Sequence, residues 1–396
     1  MHTLWVNNKK SIKLAMFFVG TIIGAGFASG RELLTYFLPF GTSILPFIAL
    51  LGLFFFVSAY LYIKVGQVHK PTNIEDFNKL LFGKASIVFN YLIILSYFVF
   101  LSTMLAGLDS LSKVAFPNIR FPIFSLLSVF IAIVIVARGA SGILNVNFVV
   151  IPFIILIIVA VCVYSLTRPL PPPEYLIPHA RLTPFTIASM LSHIALYIGT
   201  NMLLAGGALA KFSAEGNEQN LGDKIQNYSG QSTDNSFLKK LNNDSIKASL
   251  LGGVFIGVLV AIFILALFLS HRSIVQEDIP LIFLSHDLPA HFIIVIYMVL
   301  FAAIITSLCS ALFASSHFVN DFIKHKPIAI TLTALLGYII SRFGFNFLIT
   351  YFYPLLGVIG LVYIARLIVV YFSKTKNSPT ETGLSKKYYK PNNLET

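Results

Sequence analysis

The sequence predicts an all-α polytopic membrane protein: ten transmembrane helices in a 5+5 inverted repeat, with helices 1 and 6 broken. Three observations predict it: an apolar composition, ten long apolar segments, and glycine clusters in the first and sixth of them. Of the 396 residues, 57% are hydrophobic and 11% charged, and the mean hydropathy is +0.83. Soluble domains carry roughly 25% charged residues. Asp and Glu number 16 against 37 Phe, which excludes a soluble enzyme, a disordered chain and a nucleic-acid-binding domain. Cys162 and Cys309 both sit in apolar runs, a pattern of neither a disulfide framework nor a metal site.

A spanning helix needs about 20 mostly apolar residues. The segments that meet this are about 11–38, 41–67, 84–114, 121–138, 143–167, 182–212, 246–270, 290–320, 327–342 and 345–372. The runs Ala85–Leu108, Gly139–Thr167, Ala248–Ser270 and Phe292–Ser316 hold no charge at all. The ninth segment is short, and Arg342 at its end extends it by snorkelling. Lys9, Lys10 and Lys13 precede the first segment, which reads as a retained transmembrane helix rather than a cleaved signal.

Lys and Arg set the orientation. With ten crossings, 21 of them fall on the side of the termini and 7, including Arg31, Lys113, Arg168 and Arg342, on the other. Both termini are therefore expected in the cytoplasm of a cell that carries the chain in its plasma membrane, with the lipid bilayer as its main partner.

Three connections have character. His69–Gly83 places Ile74, Phe77, Leu80 and Leu81 at helical spacing among polar residues, the pattern of an amphipathic surface helix. Residues 168–184 are proline-rich and predict a stiff, extended outer connection. Ser213–Asp244 is polar and reads as a flexible cytoplasmic loop. The expected organisation is a first five-helix repeat at 11–167, the connection at 168–184, a second repeat at 185–372 containing the 213–244 loop, and a cytoplasmic tail at 373–396.

Discontinuous helices at corresponding places in two halves point to a transporter's binding site. The first span carries Gly20, Gly24, Gly26 and Gly30 within eleven residues, so Gly26–Gly30 is the expected unwound turn. Ser29-x-x-Glu32 has the form of a capping box that restarts the helix. The sixth span has Gly199-Thr200-Asn201 followed by Gly206-Gly207, and Ile198-Gly199-Thr200 echoes Val19-Gly20-Thr21. Five crossings separate the two, an odd number, so the halves are inverted. The alternative is that these glycines only let helices pack closely.

The stretch Gly20-Thr-Ile-Ile-Gly-Ala-Gly-Phe-Ala-Ser-Gly-Arg-Glu32 resembles the signature of YkvI-like bacterial membrane proteins. These are distant relatives of the amino acid–polyamine–organocation transporters, with the leucine-transporter (LeuT) fold. The resemblance runs from Ser11 to about Phe372 and implies a secondary active transporter. It also implies an ion position: sodium-coupled members of the fold hold an ion between the break of helix 1 and an Ala-x-x-(Ser/Thr)-(Ser/Thr) face of helix 8. Here that face reads Ala303, Thr306 and Ser307, and the carbonyls of Gly20 and Ile23 complete the implied sodium site. Proton coupling is the alternative, with Glu32, Asp109 and His193 as candidates because ionisable groups in spans are functional suspects. His317, toward the end of the eighth span, reads as interfacial. Helix 5 lacks the Lys that replaces sodium in some relatives.

For the solute, the start of the restarted half-helix favours an anionic group such as a carboxylate. Gly24, Gly26 and Ser29 would approach it, Thr200 and Asn201 would bind an ammonium or amide, and Phe27, Tyr97 and Tyr197 would form apolar walls. A small carboxylate-bearing zwitterion such as an amino acid fits this set. A different class stays open: a nutrient or germinant sensor built on the same scaffold, which binds without transporting. No hydrolase, zincin or P-loop pattern is present in the sequence.

Overall fold

The computed structural model describes residues 11–12, 14–16, 18–118, 123–137, 140–225 and 235–376. Every regular element among them is helical. Six helices are long and apolar enough to cross a membrane, and Phe124–Ala137, Val150–Leu166 and Lys326–Ser341 are shorter apolar helices. The sequence-predicted spans keep their ordinal names below.

The outward faces of these helices are as apolar as their inward ones. Leu53, Phe54 and Val57 on the second span, Ile87, Val88 and Tyr91 on the third, and Leu250, Leu251 and Val254 on the seventh are all exposed. A helix that is hydrophobic all round belongs in a bilayer. Apolar burial then gives little drive for helices to associate, and close contact between small residues takes its place.

Two glycine crossings show this. Spans two (Ile48–His69) and seven (within Asn235–Phe268) touch at Gly52, where an added Cβ would lie 3.2 Å from the Gly253 carbonyl oxygen. The reverse contact, from Gly253 to the Gly52 oxygen, would be 2.8 Å. Spans six (Pro184–Ile225) and ten (Tyr353–Lys376) cross at Gly199, Gly357 and Gly360, with the Gly360 Cβ position 2.9 Å from Gly199 Cα.

That crossing corrects the expectation for span six. Its helix is continuous from Pro184 to Ile225, with no break at Gly199 or at Gly206-Gly207. Those glycines make room instead: Gly199 for the span-ten backbone, Gly206 for the Tyr62 ring and Gly207 for Ile74. The polar segment at 213–244 is corrected too. Helix runs on to Ile225 and resumes at Asn235, because its Ala, Glu, Gln, Leu and Lys residues are helix formers uninterrupted by proline. Residues 226–234 and 377–396 lie outside the described residues, so most of the expected tail does as well.

The amphipathic helix forms over Ile74–Phe82. Asn73 caps it by accepting from the Asp76 N–H at 2.7 Å, and Gly83 ends it at φ 56°. Phe77 stacks on Tyr62 at 5.8 Å. Buried Asn78 accepts from the Tyr363 hydroxyl at 2.8 Å and donates to Asn90 at 2.7 Å, while Arg366 donates to the Leu81 carbonyl at 2.8 Å. The proline-rich connection is extended around a single 3-10 turn at Pro173–Tyr175. It pairs with the link between spans one and two: Ala180 N–H donates to the Phe40 carbonyl, and Ser43 donates to the Ala180 carbonyl.

Candidate functional site

Span one breaks twice. Its helix stops at Ile22, a short turn runs Ala25–Ser29, and a second helix runs Arg31–Phe37. At the first break Gly24 is extended (φ −95°, ψ −172°), and its N–H donates to the Ile22 carbonyl at 2.8 Å. In an unbroken helix that N–H would serve Gly20, so the Gly20 carbonyl loses its helical donor. At the second break Gly30 sits at φ 83°, which only glycine adopts cheaply. The expected unwound turn at Gly26–Gly30 is therefore displaced: Gly26 lies inside the short helical turn, and the breaks flank it.

The capping box does not form. The Ser29 hydroxyl donates to the Gly26 carbonyl at 3.0 Å and accepts from the Arg31 N–H at 3.2 Å, tying the turn together. Glu32 makes no cap. Its carboxylate folds over Gly26, where a Cβ would lie 2.8 Å from Oε2, and it accepts from Asn201 Nδ2 at 2.8 Å. A first turn already carrying a carboxylate, in a helix of only seven residues, offers poor lodging to a second anion.

Around Glu32 the side chains from span six close in. Asn201 Nδ2 also donates to the Tyr197 carbonyl at 3.0 Å. The Tyr36 hydroxyl donates to Thr200 Oγ1 at 2.6 Å; Thr200 has one proton, with the carbonyls of Tyr353 (2.8 Å) and Leu196 (3.0 Å) in reach. Thr200 thus pins span six to the start of the regular span-ten helix. Directly before it, Leu348–Phe352 forms a π-helical turn. Pro354 has no N–H for the Thr350 carbonyl, which opens the helix at that point.

The ion candidates are split between two faces. Gly24 faces span eight (within Ala290–Ile323): its Cβ position lies 3.7 Å from Ser307 Oγ and 3.3 Å from the Phe100 ring. Ala303 and Thr306 are buried on the same helix, and Thr306 Oγ1 donates to the Ala303 carbonyl at 2.9 Å, leaving its lone pairs free to accept. The α-carbon of Gly20, by contrast, faces Ile151 of span five. Ile23 is buried beside the break, and its N–H still serves Val19. The break and the hydroxyl face do meet, through Gly24 and Ser307.

No family model matches the chain. It is similar to the uncharacterised membrane protein YkvI of Bacillus subtilis strain 168, 26% identical over 366 residues that cover 90% of this chain and 94% of YkvI. The uncharacterised protein YyaD of the same organism is 24% identical over 371 residues, covering 92% and 97%. Among solved structures it matches Mhp1, a nucleobase-cation-symport-1 family transporter, closed with bromovinylhydantoin bound. There the TM-score is 0.59 at 15% identity, covering 87% of this chain and 74% of Mhp1. An inward-facing Mhp1 structure matches at TM-score 0.56 and 14% identity, covering 92% and 76%. The fold is LeuT-like. These structures are of a transporter and not of an enzyme.

Within this LeuT-like bundle the remaining aromatic candidates pack in or against the hydrophobic core. Phe27 is fully buried, edge-on to Phe263 of span seven at 6.1 Å. Tyr197 is packed edge-on to Tyr36, Phe37 and Phe55. Tyr97 is partly buried and packs against the core. His193 Nδ1 sits 2.7 Å from the Tyr36 carbonyl and its ring is edge-on to Phe40, so it joins span six to span one. His317 is exposed. Arg31 donates to the carbonyls of Val275 and Glu277, holding the link between spans seven and eight.

Asp109 is ion-paired with Arg342 at the end of span nine. Its partner is half-exposed, so the pair contributes about 1 kcal/mol. Asp109→Asn is expected to lower the melting temperature of the detergent-purified chain by a few degrees. An unchanged melting temperature would show that the pair adds nothing to stability.

Proposed function

We propose that the chain is a secondary active transporter of the plasma membrane, a symporter that couples the entry of a small solute, such as an amino acid, to sodium by alternating access. The observation that carries this reading is the broken first span set against Ser307 of span eight in a LeuT-like bundle. Freed backbone carbonyls and two hydroxyls are oxygen donors of the kind a hard cation takes. Gly20, Ile23, Ala303, Thr306 and Ser307 supply them, with Gly24 as the hinge between the two faces.

The ten-span 5+5 arrangement belongs to this proposal, as do the repeat boundaries at 11–167 and 185–372. Its support is the pairing of equivalent spans. Two and seven occupy the same place in each repeat and meet at a glycine crossing, and one meets five, at Gly20 and Ile151, as six meets ten. The cytoplasmic placement of both termini rests on the 21-to-7 distribution of Lys and Arg.

Equilibrium binding of radioactive sodium to the purified full chain tests the ion site without knowledge of the solute. Binding is expected to saturate and to be displaced by unlabelled sodium but not by choline. Thr306→Ala and Ser307→Ala each remove one oxygen where water is a poor replacement. Each should raise the half-saturating sodium concentration about tenfold or more. Unchanged binding in both variants would remove the site.

A further inference from the structure

Glu32 is 4% exposed and Asn201 6%. The Asn201 amide is oriented by its own bonds: its nitrogen contacts the Tyr197 carbonyl, which can only accept, so the same NH2 group donates its other hydrogen to Glu32 Oε1. One carboxylate oxygen is thereby satisfied. The other lies 2.8 Å from the Cβ position of Gly26, which Ile349 of the π-helical turn also borders. A buried carboxylate needs a counter-charge or a proton, and none of the ion pairs among the described residues includes Glu32. Among the described residues the ion pairs are Arg168–Asp287, His286–Asp287 and Arg342–Asp109. Arg31, next in sequence, turns its guanidinium away to Val275 and Glu277. His193 is spent on the Tyr36 carbonyl. The Tyr197 hydroxyl is buried without a partner, on the residue whose backbone carbonyl also holds Asn201.

We propose that Glu32, held by Asn201, binds a cationic nitrogen of the transported solute, an ammonium or amidinium group. An ammonium brings three donors, one of which the carboxylate oxygen over Gly26 can accept. The inference rests on the reading of a solute site at the break of span one, and it turns the selectivity of that site from the solute's acid end to its basic end. Gly26 is part of it, since any side chain there displaces the carboxylate.

The test uses the full chain, purified for thermal-shift binding and reconstituted for uptake. The probes are size-matched: L-alanine and propylamine, propionate, propionamide, and the longer homologues of each. Compounds with a basic nitrogen are expected to bind, and the nitrogen-free acids and neutral amides are not. Glu32→Gln keeps the shape and the bond from Asn201, and should raise the half-saturating concentration of the binding probes at least tenfold. Glu32→Asp, which keeps the charge at shorter reach, should raise it less; monodisperse elution of both variants shows that they fold. Binding by propionate or propionamide as good as by the amines, no binding by any amine, or an unchanged affinity in Glu32→Gln overturns the proposal. So does a Glu32→Gln chain that retains amine affinity and loses only the pH dependence of uptake, which would make Glu32 a proton carrier. Sodium-driven uptake of a nitrogen-free acid would sink this inference and leave the transport reading standing. Amine binding with no uptake under any gradient would do the reverse.

Discussion

Gly30→Val is expected to abolish solute uptake while leaving the chain inserted in the membrane. Two costs combine. Gly30 sits at φ 83°, a region that costs a side-chain-bearing residue about 1–2 kcal/mol, and a β-branched one more. Its Cβ would also lie 2.8 Å from the Phe263 ring and 3.4 Å from Pro280, and overpacking adds roughly 1–3 kcal/mol. The turn that presents Gly26, Ser29 and Glu32 would then have to open. Gly344→Val is the control, because Gly344 has φ 94° with nothing within 4 Å of its Cβ position. It carries the backbone cost alone. Uptake and surface expression measured side by side should separate the two, and equal uptake by both variants would show that the Phe263 contact does not matter.

Gly360→Leu is expected to have the largest effect on stability. A Cβ at Gly360 would meet the Gly199 Cα at 2.9 Å and its carbonyl closer still, and one at Gly357 would meet Thr200 Oγ1 at 3.0 Å. The two backbones are in direct contact, so no rotamer change relieves the clash, and spans six and ten must separate. The loss is about 3 kcal/mol or more, visible as a melting temperature many degrees below wild type in gel filtration after heating. The separation also breaks the reach from Thr200 to the Tyr353 carbonyl, so uptake should fall with stability. An unchanged melting temperature would contradict the crossing.

The two spans with glycine clusters show what the sequence conveys and where it stops. Gly20 to Gly30 and Gly199 to Gly207 look alike as strings, yet the first breaks a helix and the second does not. A glycine is chosen either for its backbone freedom or for its missing side chain, and which applies depends on a partner elsewhere in the chain. For Gly199 that partner is Gly357 and Gly360 of span ten, more than 150 residues away, and for Gly206 and Gly207 it is Tyr62 and Ile74. The apolar spans, the amphipathic helix at Ile74–Phe82 and the existence of a break in span one were legible from local composition and period. The place of the break was not, because Ser29 bonds backwards to Gly26 and keeps Ala25–Ser29 helical. The π-helical turn has a local signal in Pro354, just beyond it. The Glu32–Asn201 contact joins residues 169 apart and has no local signature; each residue stood out alone, Glu32 as an ionisable group in a span and Asn201 beside the glycines.

Sodium-driven solute movement is tested by uptake of labelled amino acids and amines into proteoliposomes containing the wild-type chain, at fixed pH, with inward sodium replaced by choline in the paired experiment. Accumulation above equilibrium is expected with sodium and none with choline, with collapse of the accumulated label when the sodium gradient is dissipated. Uptake that ignores sodium and follows an imposed pH gradient, or ligand binding with no accumulation under either gradient, would contradict it.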